Sequence, residues 1–141
     1  MQKLRKGGYD GRGVAVINDR SDLTKLLSGP SLIEAKVEIV KEISVIAARN
    51  KNKEIKCFPV VEMLFDPEAN LVDKLICPSS VTDEQSEKAI AYAGKIIDLL
   101  NMEGLLAVEL FVDANGEVLV NEIAPRPHNS GHHTIESVIT S

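Results

Sequence analysis

Short apolar runs, several of them alternating with polar residues, predict a series of β-strands along this 141-residue chain. Candidate strands cover residues 32–37, 42–49, 54–63 and 71–77, and a hairpin covers residues 105–112 and 117–123. The segments are joined mostly by short polar turns, which favour antiparallel pairing because parallel strands need a long crossover. We therefore predict a largely antiparallel sheet.

One long helix is predicted over residues 83–101, with Ser80 or Thr82 as its N-cap. Its apolar side chains recur at the helical period and should lie on the sheet: Ala89, Ile90, Ala93, Ile96, Ile97 and Leu100. A short helix is expected over residues 22–28, after Ser21 and before Gly29-Pro30. The predicted fold class is α+β, a largely antiparallel sheet packed with one long helix and a short one.

The composition is that of a globular protein, with 44% hydrophobic and 26% charged residues, and the length suits one domain. A net charge of −5 argues against a general binder of nucleic acid or anionic membranes. Cys57 and Cys77 lack metal-binding spacing and are expected to be buried free thiols. Because no apolar run approaches a membrane span and no signal peptide is evident, we expect a cytoplasmic protein.

Two carboxylates interrupt the apolar pattern of the predicted hairpin, Glu109 on its first strand and Glu122 on its second. If Asn115-Gly116 forms the centre of a two-residue type I′ turn, counting back along the strands places Glu109 opposite Glu122. Facing carboxylates repel each other and raise each other's pKa unless a cation lies between them. Carboxylates combined with substrate phosphates are typical ligands of Mg²⁺.

Two alternatives remain for these carboxylates. One extra residue in the turn would shift the register and separate the two side chains, and simple surface exposure of this face would leave them without a ligand. Asn121 adds a further oxygen beside Glu122, but it lies on the opposite face if the strand stays regular.

A glycine-rich segment near the start of the chain is a second candidate site. Closely spaced glycines let backbone amides approach phosphate oxygens, and Lys3, Arg5 and Arg12 add positive charge. The segment matches neither of the common phosphate-loop motifs, and a turn with no ligand is the alternative. The loop residues concerned are Gly7, Gly8, Gly11, Arg12 and Gly13.

The third candidate is the segment from Arg126 to His133. His128 and His132 have the spacing of zinc ligands on a helix, but Pro127 and Gly131 disfavour a helix there. A loop with Arg126, His128 and Asn129 after a metal-binding strand is better suited to hold a small planar anion and move a proton. A zinc-binding module and an ordinary polar loop stay open as alternatives.

Three strings, GGYDGRG, LIEAKVEIVKEISVIAAR and VELFVDANGEVLVNEIAPRPHNSGHHT, together resemble the N5-carboxyaminoimidazole ribonucleotide synthetases, which are ATP-grasp ligases. The resemblance spans essentially the whole chain, and NEIAPRPHNSGHHT is its most specific part. It implies an ATP-grasp domain over residues 1–141 that binds ATP and Mg²⁺, with Mn²⁺ as a possible substitute. The implied reaction is ATP-dependent carboxylation of aminoimidazole ribonucleotide with bicarbonate, through carboxyphosphate, in purine biosynthesis.

The resemblance also implies a role for individual residues. Lys3 corresponds to a lysine that contacts ATP phosphates. Glu34 and the backbone of Lys36 and Val37 correspond to the hinge that binds adenine. Glu42 corresponds to the carboxylate that holds the ribose hydroxyls. Further implied contacts are Glu109 and Glu122 for magnesium with Asn121 adjacent, Tyr9 and Asp10 for the nucleotide substrate, and Arg126, His128 and Asn129 for bicarbonate and carboxyphosphate.

The family's substrate domain, which precedes the ATP-binding domain, and its C-terminal small β domain have no counterpart in this sequence. From this we expect a truncated chain that folds without turning over, whereas the full-length family forms homodimers. Another carboxylate-using ATP-grasp ligase is the nearest alternative function.

Overall fold

The computed structural model describes residues 1–8, 12–66, 71–136 and 139. The chain divides into two compact units, residues 1–38 with 67–71, and residues 39–66 with 72–141. Each unit is described separately below.

The first unit contains a three-stranded antiparallel sheet. Its strands are β1 (Gln2–Leu4), β2 (Val14–Ala15) and β3 (Ser31–Ile33), with β1 in the centre. The predicted strand over residues 32–37 is shorter than expected, because β1 offers partners only to Ser31, Leu32 and Ile33. Gln2 is buried and binds the backbone of Leu27 and the hydroxyl of Ser31.

The short helix of this unit differs from the prediction. It is a 3-10 helix over Arg20–Lys25, and its N-cap is Asp19 instead of Ser21. The Asp19 carboxylate accepts hydrogen bonds from the backbone N–H and the hydroxyl of Ser21, at 2.7 and 2.6 Å. Ser21 is therefore the residue that is capped, and the helix begins earlier.

The second unit is built on an antiparallel sheet of six strands. They are β4 (Ile39–Arg49), β5 (Ile55–Cys57), β6 (Val61–Phe65), β7 (Val72–Ile76), β8 (Gly104–Asp113) and β9 (Val118–Ala124). The order is β7-β6-β4-β8-β9, and β5 pairs with the far end of β4. The antiparallel pairing predicted from the short turns is confirmed for these strands.

Two of the predicted strand boundaries in this unit are wrong for identifiable reasons. The run over residues 54–63 is divided into β5 and β6 around Pro59, which has no N–H to donate to a ladder. The strand predicted from residue 42 instead begins at Ile39, because β8 is long enough to pair with it as far as Asp113. A register shift between Ile39 and Lys41 marks a bulge at Val40.

The predicted long helix is α1 (Asp83–Leu99), and it covers one face of this sheet. Thr82 is its N-cap in a complete capping box with Gln85, and Asn101 ends the helix in a left-handed conformation. The main core lies between α1 and the sheet and includes Ala89, Ala93, Ile97, Ile43, Leu106, Val108 and Leu110. Ile90 and Leu100, predicted to face the sheet, are exposed instead.

The opposite face of the sheet carries a smaller apolar cluster of Ile46, Ala107 and Ala124, with Phe58 packed against it. A 3-10 turn at Asn129–Gly131 and a short helix, α2 (His133–Glu136), follow β9; neither was predicted as helical. Both cysteines are free, as predicted, but neither is fully buried: Cys57 is half-buried and Cys77 is exposed, so the predicted burial is wrong. None of the helices in the described part of the chain is both long and apolar enough to span a membrane.

Candidate functional site

Glu109 of β8 lies directly opposite Glu122 of β9, as predicted. The side chain of His128 joins them, and one ligand atom from each of the three residues lies within 4.8 Å of the others. This spacing lets a single ion contact all three side chains. Among the described residues, this is the one cluster of acidic, His or Cys side chains that could share a metal ion.

The register that pairs these carboxylates arises differently from the prediction. The turn has three central residues instead of two, since Asp113 both donates to Glu117 and accepts from Gly116, so Val112 faces Val118. A regular strand would then place Asn121 opposite Glu109. A bulge at Asn121, where the register shifts between Leu110–Val120 and Glu109–Glu122, restores the facing pair.

The bulge also changes the expectation for Asn121. Asn121 was predicted to lie on the face opposite Glu122 only if the strand stays regular, and the bulge makes the strand irregular at this residue. Bulges are frequent beside functional sites, where they re-aim side chains. The predicted ligand role of Asn121 stays a prediction.

The electrostatics of the site disfavour a negative charge on Glu109. Its side chain is 13% exposed. Burial raises the pKa of Glu109 from 4.5 to about 7, with further contributions from the negative charges of Glu122 and Glu42, while Arg126 acts in the opposite direction. Glu42 lies on β4 opposite Phe111, and burial also raises its pKa. Three carboxylates near one face are arranged so that a bound cation would stabilise them.

The loop that follows β9 brings His128 to Glu109. Ser130, in the 3-10 turn, is fully buried against the sheet, and His128 Nδ1 lies 3.2 Å from Glu109 Oε1. Gly131 permits this approach, because a Cβ at that position would lie 3.3 Å from the Ile46 side chain. Pro127 and Gly131 were expected to disfavour a helix in this segment, but the structure has a 3-10 turn at Asn129–Gly131 and the short helix α2 from His133.

Ser44 and Ser130 are two site residues that the sequence prediction missed. Both are fully buried, and their hydroxyl oxygens lie 2.9 Å apart. Ser130 Oγ is also 3.1 Å from His128 Nδ1. The sequence feature that could have identified this pair is Ser44, a small polar residue in the apolar run from Ile43 to Ala48.

A cavity of about 290 Å³ lies beside this cluster. Its lining includes Arg126, His128 and Asn129 together with the apolar side chains of Ile46 and Leu105. The Arg126 guanidinium donates to the carbonyl of Pro127 at 3.0 Å, and the side chain is exposed. The three residues predicted to hold a small anion therefore line the same cavity.

Comparison with known proteins identifies the family. The ATP-grasp domain family matches residues 1–141. The chain belongs to the ATP-grasp family. An N5-carboxyaminoimidazole ribonucleotide synthase of Bacillus subtilis is 41% identical over 143 residues, which cover 99% of this chain and 37% of that protein. This ATP-grasp chain therefore spans a little over a third of the length of that relative.

Solved structures agree with this ATP-grasp assignment. An ADP complex of N5-carboxyaminoimidazole ribonucleotide synthetase superimposes with a TM-score of 0.87 at 42% identity, covering 96% of this chain and 36% of the other. The Aspergillus clavatus N5-carboxyaminoimidazole synthase, in complex with ADP and 5-aminoimidazole ribonucleotide, gives a TM-score of 0.80 at 28% identity, covering 96% and 35%. The predicted α+β ATP-grasp fold is confirmed.

The zinc alternative is not supported by the positions of the other two histidines. His132 is exposed, and His133 stacks edge-on against Phe58 with its Nδ1 3.3 Å from the carbonyl of Ser130. Within residues 1–8, 12–66, 71–136 and 139, neither of them joins the possible metal cluster.

The remaining predicted ATP-grasp contacts lie in the first unit. Lys3 Nζ forms an ion pair with Glu34 Oε2 at 2.9 Å, Lys36 is exposed and Val37 is half-buried. Gly7 and Gly13 have positive φ, and a Cβ on Gly8 would lie 2.8 Å from the carbonyl oxygen of Arg12. Tyr9, Asp10 and Gly11 lie outside the described residues. The ligand roles of all these residues stay predictions.

Proposed function

We propose that this chain supplies the ATP- and metal-binding part of an enzyme that carboxylates 5-aminoimidazole ribonucleotide with bicarbonate in purine biosynthesis. The observation that carries the proposal is the Glu109, Glu122 and His128 cluster beside the Arg126 cavity. Similarity to relatives named for this activity supports the substrate assignment. The chain covers about 37% of the Bacillus subtilis relative, so the complete reaction is part of the proposal.

The carboxylate pair fits a magnesium ion bound together with ATP phosphates. Glu109 and Glu122 offer oxygen ligands on one face of the sheet, and burial of Glu109 makes its ionised form unfavourable without a cation. Mg²⁺ usually takes one or two carboxylates and completes its shell with phosphate oxygens and water. When bound, Mg²⁺ would neutralise phosphate charge during phosphoryl transfer. Mn²⁺ would suit the same oxygen ligands.

The cavity next to the carboxylates is suited to the second anion. Arg126 provides a planar group of N–H donors that matches the planar oxygens of bicarbonate, and Asn129 adds an amide. Bicarbonate and the triphosphate of ATP are both anions and repel each other. A fixed positive charge near the place where negative charge builds up lowers the barrier to phosphoryl transfer. We assign this role to Arg126.

The chemistry proceeds in two steps. A bicarbonate oxygen attacks the γ-phosphorus of ATP, ADP leaves, and carboxyphosphate forms. The amine of aminoimidazole ribonucleotide then bonds to the carboxyl carbon, phosphate leaves with the electron pair of the broken C–O bond, and the amine nitrogen loses a proton. We assign His128 to that proton, since it lines the cavity and is oriented by Glu109.

Other parts of the proposal rest on the sequence resemblance. They are ATP phosphate contact by Lys3, adenine contact by Glu34, Lys36 and Val37, ribose contact by Glu42, and nucleotide-substrate contact by Tyr9 and Asp10. A homodimer of the full-length enzyme and a cytoplasmic location stay predictions as well.

A chimera tests the function directly. Residues 1–141 replace the segment of the Bacillus subtilis relative that they match. The purified chimera is incubated with ATP, Mg²⁺, aminoimidazole ribonucleotide and ¹³C-bicarbonate. We expect labelled N5-carboxyaminoimidazole ribonucleotide, together with one ADP for each product formed.

Two controls make the result specific. Glu122→Gln in the chimera should abolish turnover, whereas Glu117→Gln, at the exposed tip of the same hairpin, should not. A folded chimera that binds ATP but activates formate or another carboxylate in place of bicarbonate would support the alternative ATP-grasp ligase. A folded chimera with no ATP-dependent reaction would contradict the proposal.

A further inference from the structure

We propose that Ser44 and Ile46 of β4 are positioning residues for His128. These two side chains, called the β4 seat below, support the 3-10 turn at Asn129–Gly131 and thereby set how close the His128 ring comes to Glu109. The use of this placement in carboxylation rests on the proposed function. The placement itself is a matter of packing and can be measured in the chain without any substrate.

The β4 seat lies on the same face of the sheet as the carboxylate that His128 contacts. Side chains two residues apart on a strand point to one face, as Ser44 and Ile46 do. Ser44 pairs directly with Glu109 of β8, and Ile46 pairs with Ala107 of the same strand. A turn that rests on the seat is therefore held beside Glu109.

The first contact of the seat is a buried hydrogen bond. The hydroxyl oxygens of Ser44 and Ser130 lie 2.9 Å apart, and both residues are fully buried. A buried hydroxyl that loses its partner destabilises the fold, so the pair favours the arrangement in which the turn lies against β4. The hydrogen bond ties the turn to the strand whichever hydroxyl donates.

The second contact is a steric stop between Gly131 and Ile46. A Cβ at position 131 would lie 3.3 Å from both Cγ1 and Cδ1 of Ile46, which is closer than carbon atoms normally pack. Ile46 is 6% exposed and belongs to the small apolar cluster on this face, so it has little room to move away. The φ angle of Gly131 is not in the left-handed region, so the backbone alone does not require glycine there. The contact with Ile46 is what favours glycine.

The position of the turn is transmitted to His128 through Ser130. Ser130 Oγ lies 3.1 Å from His128 Nδ1, and the backbone nitrogen of Ser130 lies 3.4 Å from the same ring atom. His128 Nδ1 in turn lies 3.2 Å from Glu109 Oε1. These distances are near the upper limit of hydrogen bonding, so even a small outward movement of the turn would take His128 out of contact with Glu109.

The consequence for the reaction is a dependence of the rate on the seat. In the proposed reaction His128 takes a proton from the substrate amine, and a base must lie within hydrogen-bonding reach of that proton. A misplacement of about 1 Å can cost about 100-fold in rate. The carboxylates and the predicted nucleotide contacts lie outside the turn, so ATP affinity should not change when the turn moves.

Two substitutions that together conserve volume test the steric stop. Gly131→Ala adds one methyl group at the contact, and Ile46→Val removes one, the Cδ1 methyl. Crystal structures of the 141-residue parent, of Gly131→Ala and of the double variant give the separation of His128 Nδ1 from Glu109 Oε1. We expect it to exceed about 3.5 Å in Gly131→Ala and to return to about 3.2 Å in the double variant. Ser44→Ala, which removes the first contact, should also lengthen it.

Gly94→Ala is the matched control. Gly94 lies in α1, and a Cβ there would meet no atom of a neighbouring element within 4 Å, so the separation should stay as in the parent. An unchanged separation in Gly131→Ala, or an increase that the double variant does not reverse, would overturn the role of Ile46. An unchanged separation in Ser44→Ala would overturn the role of Ser44. If Gly131→Ala does not fold, the double variant must fold with the parental separation, and failure to do so would refute the steric stop.

Kinetics in the chimera extend the test to the reaction. Gly131→Ala should lower kcat for carboxylation about 10-fold and leave KM for ATP unchanged, and addition of Ile46→Val should restore most of the loss. A variant that is merely less stable would not be rescued by a second substitution that removes core volume. A chimera with no carboxylation activity would contradict the proposed function and leave the measured separations intact. Unchanged kcat in a variant whose separation has increased would overturn the catalytic use of this placement.

Discussion

Replacing Glu109 by glutamine should stabilise the metal-free chain above neutral pH. The pKa of Glu109 is raised by burial to about 7 in the folded chain, against an ordinary value of 4.5. Because the folded pKa is the higher one, the folded state prefers the protonated carboxyl. The protonated Glu109 side chain therefore contributes fully to the free energy of unfolding below about pH 4.5. This contribution decreases as the pH rises and is lost above about pH 7.

The magnitude follows from the difference between these two values. Each unit of pKa corresponds to about 1.4 kcal/mol, so the ionised Glu109 side chain costs up to about 3 kcal/mol of folding free energy above pH 7. The glutamine side chain of the variant cannot ionise and keeps nearly the same shape. The variant should gain most of this amount at pH 8 and little at pH 4.5.

Urea unfolding of the parent chain and of Glu109→Gln at a series of pH values measures this difference. Glu117→Gln is the matched control, because Glu117 is exposed and ion-paired to Lys88 at the tip of the same hairpin. Saturating Mg²⁺ and ATP should reduce the advantage of Glu109→Gln, since a bound cation stabilises the ionised form. Parallel stability profiles for the parent and Glu109→Gln between pH 4.5 and 8 would refute the electrostatic reasoning.

Two further predictions concern the core and the proposed base. Ile97→Ala, at a fully buried position between α1 and the sheet, should lower the free energy of unfolding by about 2–5 kcal/mol in urea titrations. Leu99→Ala, on the same helix but 74% exposed, should change it by less than about 0.5 kcal/mol, and equal losses would contradict the assigned core. In the chimera, His128→Ala should leave ATP affinity unchanged in calorimetry and reduce carboxylation about 100-fold or more. Equal loss of both would show that His128 holds ATP.

Local patterns were sufficient for the parts of the fold that depend on a single element. The period of Ala89, Ala93 and Ile97 predicted α1 and the side that it buries, and Thr82 was one of the two predicted N-caps. Ile90 and Leu100 were assigned to that side because the period alone cannot show how far the covering sheet extends. The length of β3 is likewise set by β1, which has only three residues to pair with, and the local sequence of β3 does not show this.

The carboxylate pair was predicted correctly although the turn was not. The pattern around Asn115-Gly116 suits a two-residue turn, and the actual turn has one residue more. The bulge at Asn121 compensates for it, and a bulge depends on both strands and on what packs against them. Ser44 and Ser130 were missed because they are 86 residues apart and meet only when the loop folds back on β4.

The most direct test of the metal site is the binding of Mn²⁺ to the chain in the presence of ATP, followed by electron paramagnetic resonance. We predict ATP-dependent Mn²⁺ binding that is lost in Glu122→Gln and in Glu109→Gln and is retained in Glu117→Gln. Equal Mn²⁺ and ATP binding by the parent chain and by both site variants would contradict the claim that the facing carboxylates hold the metal of the nucleotide.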